Sequence, residues 1–223
     1  MAFPLTHLLV AEEVLERFPT LSPEQFLLGS IAPDAVHYRA EFLNSSQKNI
    51  GATKKITHLC PVSDEKWGQV TDNDGWVVCV KNFLSKHLNN SFAQGYAVHV
   101  LTDLFNNKTL WHNFRTKHPN VAAKGYSSEY YQDLRKIDLR IYKEVICTGN
   151  IFNLLKKATP QDMPGLIFAQ EIYEIQNNLL SVAYANIPQN INTSDCKYVT
   201  YEDTQKFIKE AADFCLNVLT QKI

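Results

Sequence analysis

Residues 95–107, GYAVHVLTDLFNN, place His99 and Asp103 four positions apart in an otherwise apolar stretch. If that stretch is helical, the spacing puts an imidazole and a carboxylate on one face, a turn apart. Gly95 shares that face and leaves room for another backbone or a ligand to come close. Two titratable groups in apolar surroundings need partners. Taken alone, a buried His–Asp hydrogen-bonded pair is the simpler account. The alternative is a pair of ligands from one helix, completed by nitrogen and oxygen donors from elsewhere in the chain.

Three other segments offer such donors. His7 follows Thr6 near the start of the chain, Asp34 lies in GSIAPDAVHY, and His58 lies in KKITHLCP. Each has an ordinary explanation as a helix-start histidine, a turn aspartate or a half-buried histidine. Together they make a mixed His/Asp set, which suits zinc, with manganese or iron also compatible, better than calcium. Zinc with open coordination positions lowers the pKa of bound water to ~7, and paired ions roughly 3.5–4 Å apart steady the attacking and leaving oxygens of a phosphate. A carboxylate beside that water can orient it or take its proton. Of the remaining histidines, His37 flanks Asp34 and could support it as a second donor. His87 and His118 read as solvated, and His112 as a residue at the edge of the core.

The elements that must position these groups read as helices nearly throughout. THLLVAEEVLERF repeats apolar residues every three or four positions, and SPEQFLLGS and SFAQ carry serine-led capping signatures. DGWVVCVKNFLSKHL, SSEYYQDLRKIDLRIYKEVICTG, MPGLIFAQEIYEIQNNLLSVAYAN and YEDTQKFIKEAADFCLNVLTQ follow as further helices. In the last, Phe207, Ala211, Phe214, Cys215 and Val218 form one apolar stripe. The stretch from Phe92 to Phe105 is apolar on more than one side, which predicts a central helix. No alternating strand pattern or repeat is visible. Residues 39–73, 106–126 and 186–199 read as loops, and the whole of 1–223 as a single all-α, multi-helix bundle.

Bulk properties narrow the function. Lys+Arg is 22 and Asp+Glu 23, a balance that argues against broad electrostatic capture of nucleic acid, so no stable nucleic-acid complex is expected. The opening MAFPLTHLLVAEEVLERF lacks a basic start, and Glu12 and Glu13 interrupt its apolar run, so a signal peptide is not expected. No transmembrane segment is expected either, since no window reaches ~18 uncharged apolar residues. The five cysteines are scattered without a C-x-x-C, which points to reduced thiols and a cytoplasmic location.

Taken in order, THLLVAEEVL, GSIAPD, ITHLCP and AQGYAVHVLTD resemble the zinc-dependent phospholipase C / P1 nuclease superfamily, and more closely its intracellular bacterial phospholipase-C-like branch. The resemblance covers about the first half of the chain, and G-Y-x-x-H-x-x-x-D is its most specific element. It implies a helical phospholipase C-type fold around a zinc cluster that hydrolyses phosphoester bonds in lipids or nucleic acids. It further implies one metal between Asp34, His58, His99 and Asp103, a neighbouring metal on His7 with Asp103 as bridge, and Asp34 as general base. Members of the family continue with another histidine and an H-x-x-x-E pair. This chain has no H-x-x-x-E after Asp103, and Asp133 and Asp138 read as helix-surface or capping residues.

The expectation is therefore a zinc-dependent hydrolase of phosphoesters, lipid or nucleotide, with one or two ions and a metal-activated water as nucleophile. The competing expectation is a non-catalytic helical module with a structural metal or a buried His–Asp network. Tyr38, Arg39, Trp67 and Trp76 are candidate substrate contacts whose simpler role is packing.

Overall fold

Helical periodicity is realised as eleven α-helices among the residues that the computed structural model describes, 3–39, 50–61, 68–70, 72–147 and 149–221. In order they are α1 (Pro4–Leu15), α2 (Pro23–Gly29), α3 (Ile50–Thr57), α4 (Asn73–Lys86), α5 (Ser91–Lys108) and α6 (Leu110–Lys117). Then follow α7 (Pro119–Ala122), α8 (Glu129–Ile141), α9 (Ile151–Lys157), α10 (Ala169–Asn177) and α11 (Tyr201–Thr220). A 3-10 segment, Ala32–Tyr38, follows α2, and α8 and α10 run on into π-helical turns at Tyr142–Ile146 and Asn178–Val182. The described residues contain no strand, only an isolated bridge between Met163 and Ile167. Trp67 lies outside the described residues.

Several helix ends follow the local code. Ser22 caps α2 by accepting from the Gln25 amide, with Pro23 in the first turn. Thr200 and Asp203 cap α11 reciprocally. The cap of α5 is not Ser91 but Asn90, whose side chain accepts from the Ala93 amide at 3.0 Å. The Ser91 hydroxyl is taken instead by Thr20 and the Ser22 amide, which tie the start of α5 to the start of α2.

Two of the expected loops contain helices. Residues 39–73 include α3, which is too short and polar to display an apolar stripe and is docked through its buried C-terminal residues Lys54 and Thr57 and the adjoining His58. Residues 106–126 include the end of α5, α6 and α7, anchored by buried Phe114 and by Trp111, whose indole donates to the Gly68 carbonyl. The helix expected from Met163 starts only at Ala169, because Gly165 at φ 76° turns the chain and Met163 pairs with Ile167. The irregular segment 186–199 is pinned by Asp133, which accepts from the Lys197 and Tyr198 amides at 2.9 Å.

Helix α5 is the central element, buried on nearly every side and packed by α1, α2, α4 and α11. Phe105 lies between Phe207 and Phe214, and Tyr96 against Phe83. The crossing of α2 with α5 is unusually close. A Cβ on Gly95 would meet the Phe26 carbonyl oxygen at 1.9 Å, and one on Gly29 would meet the Phe92 carbonyl oxygen at 2.1 Å. The space opened by Gly95 is thus filled by another backbone. Gly95→Ala is expected to destabilise by about 3 kcal/mol, seen as a fall of roughly 10 °C in thermal unfolding.

Candidate metal centre

The close crossing delivers the first ligand-like group. With α2 drawn against α5, the Ser30 carbonyl comes within 2.8 Å of His99 Nδ1. A carbonyl can only accept, so Nδ1 carries the proton and Nε2 keeps its lone pair. His58 is fixed the same way. It is the first residue past α3, and its Nδ1 donates to the Lys54 carbonyl at 2.9 Å, with Thr57 Oγ1 at 3.0 Å. The backbone around it is held by the Tyr96 hydroxyl, which donates to the Thr57 carbonyl, and by Trp76 Nε1, which donates to the His58 carbonyl at 2.7 Å.

The two Nε2 atoms therefore face each other as lone pairs, 3.2 Å apart. Burial pushes the His58 imidazole below its ordinary pKa and the His99 imidazole well below it, with the Lys54 charge adding to the first and His7 to the second. Neither ring readily takes the proton that would relieve the contact.

Two carboxylates join them. Asp34, on the 3-10 segment, has Oδ1 3.4 Å from His58 Nε2 and Oδ2 3.9 Å from His99 Nε2. Asp103, one turn after His99 on α5, has Oδ2 3.6 Å from His58 Nε2 and Oδ1 3.5 Å from His7 Nε2. Burial alone would raise both carboxyls. The Lys54 ammonium beside it holds Asp34 well below the usual range, and Asp103, beside His7, is low as well. Both are anions in an enclosed space. His7, on α1 and fully buried, stacks its ring on His99 with centroids 3.7 Å apart and 10° between planes. Neither of its ring nitrogens has a hydrogen-bond partner, the 3.5 Å to Asp103 being too long for a good one.

The structure thus brings His7, Asp34, His58, His99 and Asp103 into one cluster from four separate segments. Two triads, His7/His99/Asp103 and Asp34/His58/His99, have ligand atoms all within 4.8 Å of one another. Donors ~2.0–2.1 Å from a tetrahedral zinc stand about 3.3 Å apart. The separations of 3.2, 3.4, 3.5 and 3.6 Å are close to that edge length. Facing lone pairs, buried anions and an unpartnered His7 make a donor set that fits a divalent cation. Because the His99 Nε2 has a single lone pair, it can serve only one of two ions, although it belongs to both triads. Asp103 turns one oxygen toward His7 and the other toward His58.

Sequence reasoning missed Lys54, which is buried with its Nζ 2.6 Å from Asp34 Oδ1 and 3.2 Å from His37 Nε2. The available signal is its position four residues before His58, which residues 39–73 hide because they show no helical apolar stripe. His37 sits at the edge of the cluster, 3.6 Å from Asp34 Oδ1. His112 is exposed beside Arg115, not at the core edge, and His118 is exposed with its ring against Phe114 and Tyr198. Asp133 and Asp138 are both buried, not on the helix surface; Asp133 caps loop amides and Asp138 accepts from Tyr184. Trp76 is buried, and Arg39 is paired with Glu171 at 2.6 Å, so both are occupied structurally.

The family described as zinc dependent phospholipase C matches the chain over residues 6–212. Comparison with curated proteins and with solved structures finds no match.

Proposed function

The chain belongs to the zinc-dependent phospholipase C family, and we propose that it is a metal-dependent phosphoesterase whose centre is the His7, Asp34, His58, His99 and Asp103 cluster. The observation that carries this reading is the pair of unprotonated Nε2 atoms 3.2 Å apart, flanked by the carboxylates of Asp34 and Asp103. Lone pairs and carboxylates packed this closely are stabilised by a cation among them. Asp34, His58 and His99 would hold one ion, and His7 a second, with Asp103 shared between them. Zinc bound there would supply Lewis acidity toward a phosphoryl oxygen and acidify a coordinated water.

The residues of the chain do the rest. Ser30 and the Lys54 carbonyl lock the two imidazoles so that their lone pairs point into the cluster. Asp34 is the proposed base; it stays ionised across the neutral range and accepts a hydrogen bond from the attacking water, which orients it toward phosphorus. Half-exposed Tyr126 packs against Tyr131 with centroids 4.7 Å apart and ring planes tilted by 40°.

Purified chain is expected to carry one or two zinc ions and to hydrolyse at least one of bis(p-nitrophenyl) phosphate, a short-chain phosphatidylcholine or a dinucleotide. A chain that retains no metal, and binds none when zinc is added, would sink this reading. A non-catalytic module with a structural ion is the second reading. It is favoured by the fact that, among the described residues, no downstream His or carboxylate joins either triad. Zinc without turnover on all three substrates would select it.

A further inference from the structure

We propose that Lys54 is the permanent cation of this centre, its ammonium occupying the side of Asp34 at which an additional divalent ion would otherwise bind, and so limiting the cluster to two ions. The inference rests on the metal-binding reading above. Its basis is the geometry of one side chain. Lys54 is 4% exposed, and a lysine that deep in a protein is held there by a partner. Its Nζ lies 2.6 Å from Asp34 Oδ1 and 3.2 Å from His37 Nε2. An ammonium has only hydrogens to offer, so His37 presents a lone pair to it.

Asp34 Oδ1 and His37 Nε2 are themselves 3.6 Å apart, again close to the edge length of a tetrahedral zinc site at about 3.3 Å. They form a ligand pair whose cation is already present as Lys54. The same residue also sets the neighbouring histidine, because the Lys54 carbonyl accepts from both His58 N at 3.0 Å and His58 Nδ1 at 2.9 Å. One turn of α3 thereby supplies the tautomer of one ligand and the counter-charge of another.

The placement of the charge agrees, since Lys54 Nζ lies 2.6 Å from Asp34 Oδ1. An ammonium next to Asp34 repels a divalent ion approaching the same carboxylate, so its removal should tighten binding there.

The test is zinc stoichiometry by elemental analysis, with affinity by chelator competition, on the parent chain, Lys54→Ala, Lys54→Arg and the double variant Lys54→Ala/His37→Ala. Lys54→Ala is expected to take up one zinc more than the parent, or to bind its Asp34-side zinc tighter by about tenfold or more. Lys54→Arg, which keeps the charge, should match the parent, and adding His37→Ala should cancel the gain. If Lys54→Ala folds only when zinc is supplied, while Lys54→Arg folds without it, the ion has replaced the ammonium and the proposal stands. A Lys54→Ala chain that neither folds alone nor recovers with zinc overturns it. So does one that binds zinc with the stoichiometry and affinity of the parent. If neither the parent nor Lys54→Ala binds zinc, the metal-binding reading itself falls, which separates the two failures.

Discussion

His99→Ala is expected to release zinc and to abolish phosphoesterase turnover, leaving a chain that still folds but melts at a lower temperature. His99 is the member common to both triads, and its ring also stacks on His7 at 3.7 Å and bonds the Ser30 carbonyl. Disturbing only the supporting hydrogen bond of a metal ligand costs roughly 10–100-fold in affinity or activity, so removal of the ligand itself should exceed that, to about 10³-fold or more. Truncation also leaves the Ser30 carbonyl without its donor and Asp34 and Asp103 as buried anions with one neighbour fewer. About 2–4 kcal/mol of stability should go with them. Elemental analysis, calorimetric melting with and without zinc, and turnover on bis(p-nitrophenyl) phosphate check the three parts. A purely structural ion predicts the first two losses but no parental turnover to lose. Retained zinc with full turnover would remove His99 from the centre altogether.

Asp138→Asn is expected to make the chain more stable at pH 8 and to remove a pH dependence below neutrality. The Asp138 carboxyl is buried, and that burial pushes its pKa up to about 7, against the hydrogen bond it accepts from Tyr184 Oη at 2.6 Å. A carboxyl that binds its proton more tightly in the folded chain than in the unfolded one stabilises the fold fully below about pH 4. That contribution falls as pH rises toward about 7, and above that a charge is held in an apolar surround. A gap of about three pH units at ~1.4 kcal/mol each amounts to about 4 kcal/mol between the two limits. Asparagine keeps a carbonyl for Tyr184 and carries no charge at any pH. Urea unfolding at pH 5 and pH 8 should therefore show a parental loss of stability that the variant lacks, with the gain at pH 8 reduced by whatever the new amide hydrogens leave unpaired. Parallel pH dependence of parent and variant would mean that Asp138 is ionised in the folded chain throughout.

Much of the helical architecture is readable from local sequence, and the reasons are specific. Ser22-Pro23, Thr200 with Asp203, and the stripe from Phe207 to Val218 are short-range signals, because caps and apolar periodicity act within one or two turns. Helix α3 escapes such reading because IGATKKIT has no apolar stripe, and what holds it in place lies elsewhere in the chain, such as the Tyr96 hydroxyl on the Thr57 carbonyl. The loss of α3 hid Lys54 in turn, since its relation to His58 exists only on a helix. Ser91 and Asn90 are comparable caps locally, and the contacts of Ser91 with Thr20 and Ser22 decided between them.

The sequence by itself determined which groups could do chemistry and what kind: the order of His7, Asp34, His58, His99 and Asp103 and the one-turn spacing of the last two. It also determined that His7, His99 and Asp103 would sit on helices, since helical periodicity is written in neighbouring residues. Only the tertiary structure decided that the five meet, because that depends on Gly29 and Gly95 letting two backbones approach and carry Ser30 to His99. The same holds for the directions of the lone pairs, which are set by carbonyls distant in sequence or on an unrecognised helix. Lys54 as the resident cation belongs to this second class. A buried charge is stable only beside its counter-charge, and the separation of 20 positions from Asp34 to Lys54 is closed by packing, not by any local rule.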